Sequence, residues 1–205
     1  MPRQARISFQ THFFHVMVQG VNKNFIFSKK YYIETYLSLI HKYIQEFPVT
    51  ILSYCIMNNH AHLLVFVKDI PDLGKFMHKV NLVYSQFYNK ENNRCGVVFR
   101  NKYKAEPIYD KKYIINCINY IHMNPVKANM AHSCEEYPYS SYNDYVNNTG
   151  ICNNKILYEL CGFNYDYSKT STNAECSIFV DIDSPTFSDI STLIDQRIII
   201  FLKSK

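Results

Sequence analysis

The stretch VTILSYCIMNNHAHLLVFV, residues 49–67, decides how the chain folds. Two runs rich in β-branched and aromatic residues, VTILSYCIM and HAHLLVFV, flank Asn58-Asn59, a pair suited to a tight turn. This pattern predicts an antiparallel hairpin. His60 and His62 stand at the head of its second strand. Side chains two apart on a strand project to one face, so both rings can aim at one point through neutral ring nitrogens. Ala61 faces the other way and is small enough to pack tightly against helices. A His-x-His at a strand start also occurs as a plain structural feature. A catalytic divalent ion needs a third protein ligand and open positions besides, so the pair alone does not make a site.

Outward from the hairpin, HFFHVMVQG (12–20) reads as a strand that stops at Gly20, and VNKNFIF as a turn. In residues 29–47, Ile33, Tyr36, Leu37, Ile40, Ile44 and Phe47 recur at helical spacing, with Pro48 marking the end. Residues 69–92 restart that period, with Asp72 as the expected cap and Phe76, Val80, Val83, Tyr84 and Phe87 on one side. Residues 92–110 read as a loop with a short extended piece. Residues 111–122 predict a helix closed off by Asn124-Pro125, followed by another helical turn and then, in EEYPYSSYNDYV (135–146), a loop leading to a short helix. The order strand–helix–strand–strand–helix argues an α+β fold: one antiparallel sheet with helices packed on one face. We divide the chain at 150, with residues 151–205 an acidic, irregular tail.

A chain of 205 residues with 47% hydrophobic composition can bury a substantial core. There are 18 tyrosines, so no single one is informative until its context selects it. The formal net charge is +5, yet residues 151–205 hold five Lys/Arg against seven Asp/Glu, so the positive charge lies in residues 1–150. A basic body suits an anionic partner, of which nucleic acid is the commonest. The seven cysteines are scattered without a C-x-x-C pair. MPRQARISFQ is not a signal-peptide pattern, and no apolar run approaches membrane-spanning length. These features predict reduced thiols in a cytoplasmic protein, with neither a disulfide framework nor structural zinc.

Two further constellations carry chemistry. In NYIHMNPVKA (119–128), Tyr120 and Asn124 lie at i and i+4 and share a helix face. The same residues would also serve as a core aromatic and a helix-ending amide, and Tyr113, two turns back, is the competing phenol. In FRNKYKAEPIYDKKY (99–113), Arg100, Lys102, Lys104, Lys111 and Lys112 interleave with Phe99, Tyr103, Tyr109 and Tyr113. Cations for phosphates beside flat rings for bases are what a single-strand groove uses, although a solvated loop face has the same composition. Lys127, Arg3 and Arg6 are further candidate phosphate contacts.

Together, HFFHVMVQGVNKNFIF, YCIMNNHAHLLV, GVVFRNKYKAEPI, YIINCINYIHMNPVKANMA and YPYSSYNDYV resemble, in that order, the REP-associated tyrosine transposases, a branch of the HUH single-strand transposases. The resemblance spans roughly residues 2–146. It implies a ferredoxin-like α+β domain, a Mg²⁺ or Mn²⁺ ion held by His60 and His62 with Asn124 as a third ligand, and Tyr120 as nucleophile. The implied reaction is cleavage and rejoining of single-stranded DNA through a covalent 5′-phosphotyrosine, leaving a free 3′-OH. The implied target is a hairpin formed by a short palindromic repeat. A homodimer, with the tyrosine helix serving a partner's site, stays open beside a monomer. So does the alternative of a catalytically inactive or domesticated nucleic-acid binder on the same fold. Where the family usually has Pro this chain has Asn58, which alters the turn and not the ligands. Nothing in the resemblance places the tail beyond 150.

Overall fold

A computed structural model describes residues 11–152 and 154–162. Its four strands are β1 (Phe13–Gln19), β2 (Val49–Ile56), β3 (His60–Val67) and β4 (Lys104–Ile108), and they hydrogen-bond in the order β2-β3-β1-β4. Every pairing is antiparallel. Helix α1 (Lys30–Tyr43) carries the chain from β1 to β2, and α2 (Ile70–Glu91) carries it from β3 to β4. Each crossover skips over one strand, which is the split βαβ arrangement of ferredoxin-like folds. The α+β antiparallel sheet expected from the sequence is therefore present, but helices cover both of its faces and not one, because β2 and β3 carry apolar residues on both sides. No helix among the described residues is long and apolar enough to cross a membrane.

The hairpin forms as read: Met57 donates to the carbonyl of His60 at 2.8 Å, and β2 runs antiparallel to β3 up to that turn. Gly20 ends β1 because the chain doubles back so tightly that a Cβ there would lie 2.4 Å from the Asn24 carbonyl oxygen. Its N–H donates to Asn59 at 2.8 Å, tying the end of β1 to the hairpin turn.

Residues on both faces of β2 and β3 are buried. Helix α3 (Lys111–Lys127) packs against β2 and β3 on the face that carries His62. That leaves α2, which also meets these strands and is tightly paired with α1, to cover the Ala61, Leu63 and Val65 side. Edge strand β2 is sheltered by the segment before α4 (Tyr142–Asn147), through Ile56 N–H to Tyr139 and Ser141 N–H to Tyr54, both at 2.9 Å. The other edge, β4, contains Pro107, which an edge position tolerates.

Three boundaries differ from expectation. Asp72 does not cap α2; Asp69 occupies that position, and the Asp72 carboxylate pairs with Lys75 at 2.9 Å inside the first turn. Its charge suits a helix N-terminus without capping it. Helix α3 does not close before Pro125 but runs through it to Lys127, ending where Asn129 takes φ 54°. Pro125 forfeits one backbone bond, yet its ring is buried, which offsets the loss. Finally, residues just beyond 150 are not irregular. Helix α5 (Asn154–Cys161) buries Leu157 and Cys161 with Cys152 in the common core, so packing crosses the expected division at 150. Arg3, Arg6 and the tail past Gly162 lie outside the described residues.

Candidate active site

Strand register assembles the site. His60 pairs with Gln19 and His62 with Met17 across β3 and β1, and His15 pairs with Leu64. On the other side of β1, His15 pairs with Glu106 and Met17 with Lys104. Alternation along each strand then places His15, His60, His62, Lys104 and Glu106 on one face. Sequence reading selected the two β3 histidines and Lys104 but missed His15 and Glu106. The signal for them is cross-strand register, which no single strand's pattern contains.

The three imidazoles form a continuous set. His60 and His62 have ring centroids 4.9 Å apart at 85°, and His15 and His62 lie 5.1 Å apart and nearly parallel. His60 Nδ1 lies 2.6 Å from Asn59 Oδ1. An amide oxygen can only accept, so His60 donates from Nδ1 and keeps its lone pair at Nε2. Nδ1 of His62 meets Nε2 of His15 at 2.9 Å, and Nδ1 of His15 lies 3.9 Å from Glu106 Oε2. Lys104 Nζ contacts the other Glu106 oxygen at 2.5 Å. That hydrogen bond holds the Glu106 carboxyl below its usual range and raises the Lys104 ammonium.

Burial lowers the pKa of all three histidines. His62 falls furthest, to about 3, through its own desolvation first and then the positive charge that His60 and His15 would carry. His15 is lowered by burial against the opposing pull of Glu106, and His60 by burial. Neutral imidazoles are the form that ligates metals. Among the described residues, no three His, Cys, Asp or Glu side chains gather into a ready-made cage. The donors on offer are two neutral imidazoles, which suits an ion whose remaining positions fall to an amide, phosphate oxygens and water.

Helix α3 brings the phenol. The ring of Tyr120 stands edge-on to His62 at 5.5 Å and to His15 at 5.8 Å, while the residue remains 44% exposed. Two residues on, the opposite side of the helix fixes this position. His122 is fully buried and its Nε2 meets Ser53 Oγ of β2 at 3.2 Å and Ser141 Oγ at 2.8 Å. Tyr113 lies seven residues back, about 10 Å along the axis. Asn124 donates its amide N–H to the Tyr120 carbonyl at 2.8 Å, leaving its Oδ1 as the end available to a ligand.

The basic residues divide. Arg100 is exposed, and its backbone donates to Gln19, the register partner of His60, at 2.8 Å. Lys104 lies on the histidine face. Lys127, exposed and seven residues past Tyr120, falls on the same stripe of α3. Lys112 is exposed in the first turn. Lys102 and Tyr103 instead line an open groove of about 810 Å³ beside α2. Lys111 is partly buried next to α5, which lowers its pKa, and its Nζ would lie 3.8 Å from a Cβ at Gly162.

Residues 8–124 match the family model described as transposase IS200 like. The chain belongs to the IS200-like transposase family. Within that family it is 23% identical over 143 residues to a protein of Haemophilus influenzae named as a candidate REP-associated tyrosine transposase. The match covers 64% of this chain and 78% of that one. Its fold is similar to that of a REP-associated tyrosine transposase solved bound to a REP hairpin, with a TM-score of 0.59 and 16% identity. That superposition covers 72% of this chain and 86% of the other. In this IS200-like transposase the buried His62 and the accessible Tyr120 meet edge to face.

Proposed function

We propose that this IS200-like transposase cleaves and rejoins single-stranded DNA through a covalent bond between Tyr120 and a 5′-phosphate. The observation that carries this reading is the accessible Tyr120 ring seated on His62 and His15 of its own chain. A pure binder has no chemical need for a phenol held against neutral imidazoles. In the forward step the Tyr120 phenol gives up its proton to water as its oxygen bonds to phosphorus, the bond from phosphorus to O3′ breaks, and the leaving oxygen takes up a proton from water to become a 3′-OH. The phosphotyrosyl ester keeps the energy of the broken phosphodiester, so a 3′-OH can reverse the step without ATP.

A phenol, with an ordinary pKa near about 10, is a weak nucleophile in neutral water and needs help from its surroundings. His60, His62 and Oδ1 of Asn124 are the residues that would hold Mg²⁺ or Mn²⁺. Bound there, the ion would polarise the scissile phosphate and stabilise charge on its oxygens. Arg100, Lys104, Lys112 and Lys127 are the exposed cations that would follow the strand, with Lys102 and Tyr103 on the α2 side. The likeness to a transposase bound to a REP hairpin supports a hairpin formed by a palindromic repeat as the target.

The test incubates the protein with a hairpin-bearing single-stranded oligonucleotide and Mn²⁺ and looks for an SDS-stable protein–DNA adduct. Wild type and Tyr113→Phe should form it, and Tyr120→Phe should not. An equal yield from Tyr120→Phe, or no adduct from wild type on any such substrate, sinks the reading.

A further inference from the structure

The contact between His15 and His62 poses a question that the reaction alone does not answer. Two imidazoles meet nitrogen to nitrogen at 2.9 Å. One hydrogen lies between them, and a neutral imidazole has only one N–H. If His15 donates, His62 must carry its own hydrogen at Nε2 and loses that nitrogen as a ligand, its Nδ1 being occupied either way. If His62 donates, its Nε2 keeps a lone pair.

We propose that His15 is a positioning residue: it accepts the Nδ1–H of His62 and so reserves the Nε2 lone pair of His62 for a divalent cation. Glu106 chooses the direction. Its Oε2 lies 3.9 Å from Nδ1 of His15, beyond direct hydrogen-bond reach, but the negative charge of the carboxylate on that side favours the N–H on the nearer nitrogen. The single N–H of His15 therefore belongs on Nδ1, which makes its Nε2 the acceptor. Lys104, 2.5 Å from the other oxygen, holds Glu106 in place. The relay reads Glu106, then His15, then His62, with each N–H pointing back toward the carboxylate. Asn59 does the same for His60 with one amide oxygen at 2.6 Å from Nδ1. Both β3 histidines are thereby Nδ1–H tautomers with free Nε2 atoms. His15 is not itself a ligand, because its Nε2 faces Nδ1 of His62 along a hydrogen bond. Groups that orient ligating histidines this way are worth about 10–100-fold in metal affinity. The proposal's last step rests on the metal reading given above, but the tautomer it assigns does not.

The experiment has two arms. Long-range proton–nitrogen NMR on the metal-free, histidine-labelled wild type reads the tautomer of His62 directly. Nδ1–H is expected, and Nε2–H, or a doubly protonated His15, overturns the proposal without any variant being made. In the second arm Mn²⁺ alone is titrated calorimetrically into wild type, His15→Phe and His15→Gln, with circular dichroism as the fold check. His15→Phe should weaken Mn²⁺ binding about 10–100-fold, and His15→Gln, whose amide oxygen can accept in place of Nε2, should recover most of it. Equal affinity in all three proteins overturns the positioning role. If wild type takes up no Mn²⁺, the metal reading fails, while the NMR arm still decides the direction of the hydrogen bond.

Discussion

Tyr120 and His62 face each other ring to ring, with centroids 5.5 Å apart and planes at 86°, although one lies on α3 and the other on β3. His62 is almost completely buried and Tyr120 is 44% exposed, so the pair straddles the boundary between the core and the solvent. A phosphate could reach Tyr120 from outside while the imidazole is locked from within. The two residues meet within one chain.

The histidines should separate chemistry from binding. His60→Ala and His62→Ala each remove one proposed ligand without touching Arg100, Lys112 or Lys127. We expect cleavage of a hairpin substrate to fall by more than about 100-fold, exceeding the usual cost of altering a group that only orients a ligand. Gel-shift affinity for the same oligonucleotide should change by less than about threefold, since phosphate contacts dominate such binding. Parallel loss of both activities would show that the histidines are structural.

Much of this arrangement was legible in the chain. The β2–β3 hairpin followed from two β runs around Asn58-Asn59, and the shared face of His60 and His62 from strand alternation. Tyr120 was picked out by the helix face it shares with Asn124 and by the family resemblance, which set it above the competing Tyr113. His15 was not, because its link to His62 is diagonal across β1 and β3 and depends on a register that pairs Met17 with His62. The end of α3 was misjudged because Pro125 is disfavoured inside helices in general, and only its burial here shows what compensates. The basic stretch looked uniform in sequence. Folding sends Lys104 to the histidine face, Lys102 to the α2 groove and Lys111 toward α5.

That dispersal can be read through salt dependence. Arg100→Ala and Lys127→Ala remove exposed cations near the proposed strand path. Each should weaken single-strand binding and reduce the slope of log affinity against log salt by about 0.7. Lys111→Ala, taken from a partly buried site beside α5, should leave the slope unchanged. Fluorescence anisotropy across a salt series decides it, and a slope that falls with Lys111→Ala but not with the other two would redraw the groove.

The seat of α3 depends on a buried polar cluster. Ser141 Oγ meets His122 at 2.8 Å and Ser53 at 3.1 Å and accepts the Tyr54 N–H at 2.9 Å. Ser141→Ala leaves these groups without that partner in the core, at a cost of about 1–3 kcal/mol. Ser85→Ala, which removes a part-buried bond to the Asn81 carbonyl on α2, should cost less than about 0.5 kcal/mol. Denaturant unfolding of both variants measures the difference, and equal midpoints would deny the cluster its role.

Acid stability should reveal two groups pulling in opposite directions. Burial pushes His122 down to about 3 from an ordinary 6.5. The unfolded chain takes up that proton near 6.5 while the folded one refuses it, so this contribution is intact above pH 6.5 and is lost as pH falls toward 3. Its slope approaches about 1.4 kcal/mol per pH unit. Asp144 is raised to about 6, chiefly by burial, against hydrogen bonds from Cys152, Tyr54 and Ile151 that favour its charged form. Its folded carboxyl binds a proton before the unfolded one does, so its contribution is present below about 3.8 and lost as pH rises through 6. Between pH 4 and 6 the two oppose each other, with Asp144 the weaker because it is partly solvated. Asp144→Asn keeps an acceptor oxygen but does not titrate, so its stability should fall more steeply than that of wild type as pH drops from 6 to 4. Urea unfolding at half-unit pH steps compares the two curves. Parallel curves through that window would mean that Asp144 ionises normally in the folded protein.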